Sequence, residues 1–210
     1  MKVQLQKVLP AEIENRSFEM IGEELGNIRL DPVNEPVIKR VIHTTADFDY
    51  ARTLCFSENA VEKGIAALKA GACIVTDTQM ARSGINKGVL SGFGGEALCF
   101  MSDEDIAQTA KENGTTRAAA SMDKAAALQK PLIFAIGNAP TALVRLYEMI
   151  MDGQIQPELI IGVPVGFVNV VESKELLMQT NIPYIVARGR KGGSNVAAAV
   201  CNALLYKAKE

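Results

Sequence analysis

The sequence has no tryptophan, a single histidine, and aromatic residues at only 5% of positions. So few aromatics leave no stacking platform for nucleobases. The charge balance points the same way. The 22 Lys and Arg are offset by 24 Asp and Glu, for a formal net charge of −2, whereas a nucleic-acid binder carries a basic face. No apolar run approaches the ~20 residues that span a bilayer. The opening Met1-Lys2-Val3-Gln4-Leu5-Gln6 lacks the apolar stretch of a secretion signal. The expectation is a cytoplasmic protein with neither nucleic acid nor membrane as a partner. Cys55, Cys73, Cys99 and Cys201 lie among apolar neighbours, and no two form a Cys-x-x-Cys pair. They read as small buried hydrophobes in a reducing compartment, not as a disulfide framework. With one histidine and no clustered cysteines, no structural zinc or other metal site is expected.

What is present is apolar: 48% of the 210 residues, enough for a substantial core. Near-continuous apolar runs stand at 72–76, 97–101, 132–136, 159–163 and 184–187, as strands buried on both faces should. Helical patterns separate them, at 60–68, 103–111, 117–128, 142–151, 172–179 and 195–207. Ser102 is placed to cap the second of these, ahead of acidic first-turn residues. The alternation predicts a doubly wound α/β fold, with a mainly parallel sheet and helices on both faces. A helical N-terminal segment, about residues 10–45, packs against it. No linker or repeat interrupts the chain, so residues 1–210 read as one domain.

Ligands of such sheets bind beyond the carboxyl ends of the strands, and the loops there are rich in glycine, hydroxyls and bases. The loop Arg188-Gly189-Arg190-Lys191-Gly192-Gly193-Ser194 opens the last helix. Its glycines allow close backbone approach, and a helix N-terminus favours an anion. Its lysine precedes the glycines, so it is no Walker A loop, and it lacks the Gly-x-Gly-x-x-Gly spacing. It reads as a phosphate or carboxylate site, or else as a solvated basic turn. In the turn Gly137-Asn138-Ala139-Pro140-Thr141, Pro140 suits the first helical turn, and Asn138 either caps the helix or meets a ligand. The same two readings apply to Asp77 and Thr78.

His43 stands in Ile38-Lys39-Arg40-Val41-Ile42-His43-Thr44-Thr45-Ala46-Asp47. Lys39 and Arg40 precede it at helical spacing and share its face if the helix continues. Histidine is the side chain whose charge changes near neutral pH, and the flanking bases, hydroxyls and carboxylate are partners for proton chemistry. The bland alternative is a satisfied surface histidine on a basic stripe. No Gly-x-Ser-x-Gly nucleophile elbow is present.

Six segments together resemble the precorrin-8X methylmutase family, which includes the cobalt-precorrin-8 methylmutases, or precorrin isomerases. They are Ile13-Glu14-Asn15-Arg16-Ser17-Phe18; residues 37–48 around His43; Thr76-Asp77-Thr78-Gln79-Met80 with Ser83-Gly84-Ile85; residues 136–143; Pro164-Val165-Gly166-Phe167-Val168 with Glu172-Ser173-Lys174; and residues 189–194. The resemblance covers nearly the whole chain. It implies a cytoplasmic isomerase of cobalamin (vitamin B12) biosynthesis that shifts a methyl group from C-11 to C-12 of a corrin precursor. It also implies a homodimer with sites near the subunit interface.

His43 corresponds to the family's histidine and is expected to protonate or hydrogen-bond the macrocycle. Such a migration calls for no cofactor, no nucleotide and no catalytic metal. Ser17, Thr44 and Thr45 are expected as polar contacts. Lys39, Arg40, Arg117, Arg190 and Lys191 are expected at the substrate's carboxylates. Met80, Gly166 and Phe167 would meet the ring, and Thr78, Asn138, Gly192, Gly193 and Ser194 its rim. Two other readings compete. One is a non-catalytic corrinoid carrier that hands its product to the next enzyme; the other is a nucleotide- or phosphate-binding protein resting on residues 189–194 alone.

Overall fold

The structure, a computed structural model, describes Leu9 and residues 12–210. The opening residues read above for a secretion signal, and residues 10 and 11 of the N-terminal segment, lie outside the described residues. Six strands form one sheet: β1 (Leu54–Phe56), β2 (Cys73–Thr76), β3 (Ala97–Leu98), β4 (Leu132–Ile136), β5 (Leu159–Gly162) and β6 (Tyr184–Ala187). Their order is β1-β6-β5-β4-β2-β3. All neighbours are parallel except β1, which pairs antiparallel with β6.

The helices in chain order are α1 (Ile13–Leu25), α2 (Glu35–Thr45), α3 (Tyr50–Thr53), α4 (Ala60–Lys69), α5 (Gln79–Gly84), α6 (Lys87–Gly92), α7 (Glu104–Glu112), α8 (Arg117–Ala126), α9 (Pro140–Met151), α10 (Val170–Leu177) and α11 (Ser194–Lys209).

The strands are apolar throughout because each face meets a helical layer. Alternate side chains go to opposite sides. Ile74, Ile133, Ala135, Leu159, Ile161 and Ile185 join a core with α1, α2, α4, α5, α6 and α11. Cys73, Val75, Leu132, Phe134, Ile136, Ile160 and Val186 join a second core with α8, α9 and α10. The doubly wound α/β reading therefore holds. α11 is the central helix of the first layer, with Val196, Val200, Leu204 and Leu205 almost fully buried. Its alanines let neighbours approach closely: a Cβ added to Gly84 of α5 would lie 2.8 Å from Ala198 Cβ.

The structure differs from the sequence reading at four places. β1 was not anticipated, being a three-residue edge strand that is partly exposed. β3 stops at Leu98, well short of residue 101, because the chain turns there, with Asp103 N–H donating to Phe100 O at 3.0 Å. α3, of four residues, and α5 and α6, of six each, are too short to show a period. Asp103, not Ser102, holds the N-cap position of α7, and its side chain makes no capping bond. Ser102 Oγ instead accepts from Gln79 Nε2 at 3.4 Å.

Candidate functional site

The carboxyl ends of β2, β4, β5 and β6 open on one edge, and a buried carboxylate organises it. Asp77, directly after β2, is fully buried. It accepts the N–H groups of Gly137, Asn138 and Ala139 at 2.9, 2.8 and 2.6 Å. It thus braces the turn that leads into α9 from a different strand. Burial pushes its carboxyl above the ordinary range, against the pull of the three N–H donors. Thr78 caps α5 by accepting from Ala81 N–H at 3.1 Å, and its hydroxyl lies 2.7 Å from that of Ser194. Gly137 is obligatory here: a Cβ would lie 2.7 Å from Ser194 Cα and 2.8 Å from Gly193 O. Asn138 is exposed and caps nothing with its side chain. Farther along the edge, Thr116 caps α8 and bonds the Thr141 hydroxyl at 2.9 Å, leaving Arg117 exposed beside the α9 N-terminus.

The loops after β5 and β6 interlock. Gly193 N–H donates to Val163 O at 2.9 Å, and Gly166 N–H donates to Arg190 O at 3.1 Å. A Cβ on Gly192 would lie 2.1 Å from Val163 O, so this glycine serves loop-to-loop contact as well as any ligand. Beneath the loop, fully buried Lys174 of α10 donates to Gly189 O at 2.8 Å and Lys191 O at 2.9 Å. Burial lowers its pKa to about 8. Outside, the Arg190 guanidinium lies over the Phe167 ring at 5.4 Å. Lys191 meets Asp47 at 2.7 Å and Asp49 at 2.6 Å, and those bonds raise its pKa. Phe167 and Met80 are 79% and 70% exposed.

His43 sits in the last turn of α2, exposed, on the wall of a hollow of about 280 Å³. Arg40, Thr44 and Gly84 share that wall, opposite a stripe of α11 made by Asn195, Ala198, Ala199, Asn202 and Tyr206. These α11 positions recur at helical spacing, so the stripe was legible in the sequence but went unread. The Phe18 ring of α1 stands 5.4 Å from the His43 ring. Arg40 lies between Phe18 and Tyr206, with ring distances of 4.8 and 5.0 Å, and pairs with Glu14. Lys39 pairs with Glu35 at 2.6 Å and turns to a second hollow, about 340 Å³, behind Arg40. Ser17, Thr44 and Thr45 donate to the carbonyls of Ile13, Arg40 and Val41 in their own helices.

Of the anticipated residues, His43, Arg40 and Thr44 thus face one hollow, and Ser194 joins its Asn195 wall to Thr78 and the glycine loop. Lys39 and Arg117 stand apart from that hollow. The edge can grip an anion at the α11 N-terminus and present a histidine beside it. All four cysteines are free thiols. No helix among the described residues is long and apolar enough to cross a membrane.

The fold and the site together define a doubly wound α/β protein whose glycine loops and histidine gather at the carboxyl edge of the sheet. Comparison with known proteins gives that class a family. The sequence profile of the precorrin-8X methylmutases matches residues 12–207, and the chain belongs to this family. It is 48% identical over 207 residues to the cobalt-precorrin-8 methylmutase of Salmonella typhimurium, covering 96% of this chain and 97% of the relative. It is 46% identical over 197 residues to that of Priestia megaterium, covering 94% and 88%. Its structure superposes on that of the precorrin-8X methyl mutase of Thermus thermophilus with a TM-score of 0.86. That match is at 40% identity and covers 94% of this chain and 98% of the other. None of these relatives is named as a carrier, and the carrier reading has no support.

Proposed function

We propose that this chain is a methyl-transferring isomerase of cobalamin biosynthesis acting on a precorrin-8 macrocycle. The methyl group leaves C-11 and bonds to C-12 of the same ring, giving the cobyrinic-type product. The observation that carries the reading is the placement of His43 in one hollow with the wall of α11, whose N-terminus and glycine loop suit the carboxylates of such a substrate. An imidazole beside the macrocycle supplies a proton or hydrogen bond where charge develops during migration. The loop and Arg190 fix the ring's rim, and the exposed faces of Met80 and Phe167 suit its apolar body. The cobalt form is the proposed substrate, supported by the names of the 48% and 46% identical relatives.

The working unit is proposed to be a homodimer of single-domain subunits, spanning residues 1–210, in the cytoplasm, where unpaired thiols persist. Val165, Phe167 and Val168 are exposed at the rim, and a partner subunit would cover part of that apolar surface. Product hand-over to the next enzyme of the route fits a coloured, reactive corrinoid.

The test is an anaerobic absorbance time course with cobalt-precorrin-8 and with precorrin-8X, run beside His43→Ala. Conversion by the wild type alone supports both the reaction and the role of His43. Full activity in His43→Ala removes the mechanism, and binding without conversion returns the carrier reading.

A further inference from the structure

Among the described residues, two acidic or basic side chains are completely buried, Asp77 and Lys174. Asp77 is matched by three N–H donors. Lys174 is matched by two carbonyl oxygens and no carboxylate, and burial alone shifts its pKa. A buried ammonium with no counter-ion is costly to keep.

Its geometry suggests what that cost supports. Lys174 and Gly166 between them occupy the carbonyls of Gly189, Arg190 and Lys191 from the protein side. Among the described residues, the N–H groups of residues 189–192 donate to no protein acceptor; Gly193 N–H is taken by Val163 O, and beyond it the first N–H groups of α11 are free. Carbonyls bound beneath and N–H groups left free above make a shallow anion cradle, with a full positive charge directly under it.

We propose that Lys174 is a positioning residue whose ammonium serves as the buried counter-charge for a substrate carboxylate held by the 188–194 loop, so that carboxylate and proton bind together. The inference rests on the functional reading above, which supplies the polycarboxylate.

Other ionisable groups on the elements around Lys174 are accounted for. On α10, Glu175 faces Arg188 at 3.6 Å and Glu172 is exposed. On α9, Arg145 is held by Glu148 and by Asp123 of α8, and Tyr147 is the remaining group. β6 carries Tyr184. In the loop, Lys191 is held by Asp47 and Asp49, and Arg190 lies over the Phe167 ring.

The experiment is titration calorimetry of cobyrinic acid, the product of the proposed reaction, at about pH 9 in two buffers of different ionisation enthalpy. Wild type should take up close to one proton per ligand bound, and its affinity should fall about fivefold or more between neutral pH and that pH. Lys174→Arg should bind with no proton uptake and a flat pH profile, and Lys174→Met should bind weakly and without uptake. No uptake by wild type, or equal uptake by Lys174→Met, overturns the proposal. A purely structural role would not move the proton count, and if Lys174→Met fails to fold, the wild type and Lys174→Arg still decide. Turnover with no proton uptake defeats only the Lys174 assignment, whereas absence of any corrinoid binding defeats the functional reading and the assignment with it.

Discussion

The ring of Phe18 stands 5.4 Å from that of His43, inclined at 45°, and the same ring receives the Arg40 guanidinium at 4.8 Å. One aromatic side chain on α1 therefore sets two polar groups on α2. Phe18→Ala should lower kcat about tenfold while changing KM little, because His43 loses its orienting neighbour but not its chemistry. The stability cost should be about 1 kcal/mol, from the lost ring contacts. Steady-state kinetics and a thermal melt check both. Phe18→Tyr should retain most of the activity, and a Phe18→Ala enzyme with full kcat would show that α1 does not orient His43.

Arg190 and Lys191 are neighbours with different fates. Lys191 is already held by two carboxylates, Asp47 and Asp49, whereas Arg190, among the described residues, has only the face of Phe167. Arg190→Ala should therefore raise KM for the corrinoid by about tenfold, the loss of one charge-assisted contact. Lys191→Ala should raise it by less. The reverse order in measured KM values would mean that substrate displaces Asp47 and Asp49 from Lys191.

Gly137→Ala puts a methyl group against the backbone of Gly193 and Ser194. Backbone cannot swing aside as a side chain does, so overpacking should cost about 1–3 kcal/mol. It should also push the α11 N-terminus away from the β4–α9 turn, weakening corrinoid binding. Denaturant melts and product titration of the variant test this. An unchanged midpoint would show that the two turns have slack.

Lys174 gives a pH dependence of stability whose sign is fixed. Its folded pKa, about 8, lies below the ordinary lysine value of 10.5. Between those values the unfolded chain binds more protons than the folded one, so this group's contribution to stability increases as pH rises. It is fully present above the ordinary value and is lost as pH falls through about 8. The swing is at most about 3 kcal/mol. Lys191 acts in the opposite sense, but its bonds to Asp47 and Asp49 raise its pKa, so its loss falls above the ordinary lysine value. Urea melts of wild type and Lys174→Met across this range should diverge, with only the wild type gaining stability. Parallel curves would rule out a buried titration at this position.

Much of the architecture was legible because its strands are buried twice over. Leu132 to Ile136 must be apolar at every position when α9 covers one face and α11 the other. β1 left no such mark, since Cys55 and Phe56 are only partly covered at an edge. His43 and the glycine loops were visible because residues of those types cluster at the carboxyl edge. Lys174 stood only within a segment that resembles the family, because nothing in its local sequence marks it as buried. The cover that buries it comes from the 188–191 loop, which follows later in the chain. Arg40 was expected at a substrate carboxylate, yet Glu14 and two rings already engage it, contacts that no local pattern encodes.

The position of α11 has a consequence for how the chain is made. His43 and Gly84 leave the ribosome long before Asn195, Asn202 and Tyr206, the helix face that completes their hollow. At ordinary elongation rates the gap between His43 and Asn195 is roughly 8 to 30 s. Throughout that interval the nascent chain exposes the apolar faces of α2, α4 and α5 that α11 will cover. Exposed apolar surface of this kind favours aggregation and chaperone capture late in synthesis, and a chain stopped before residue 194 lacks both the cover of one sheet face and the α11 wall of the His43 hollow.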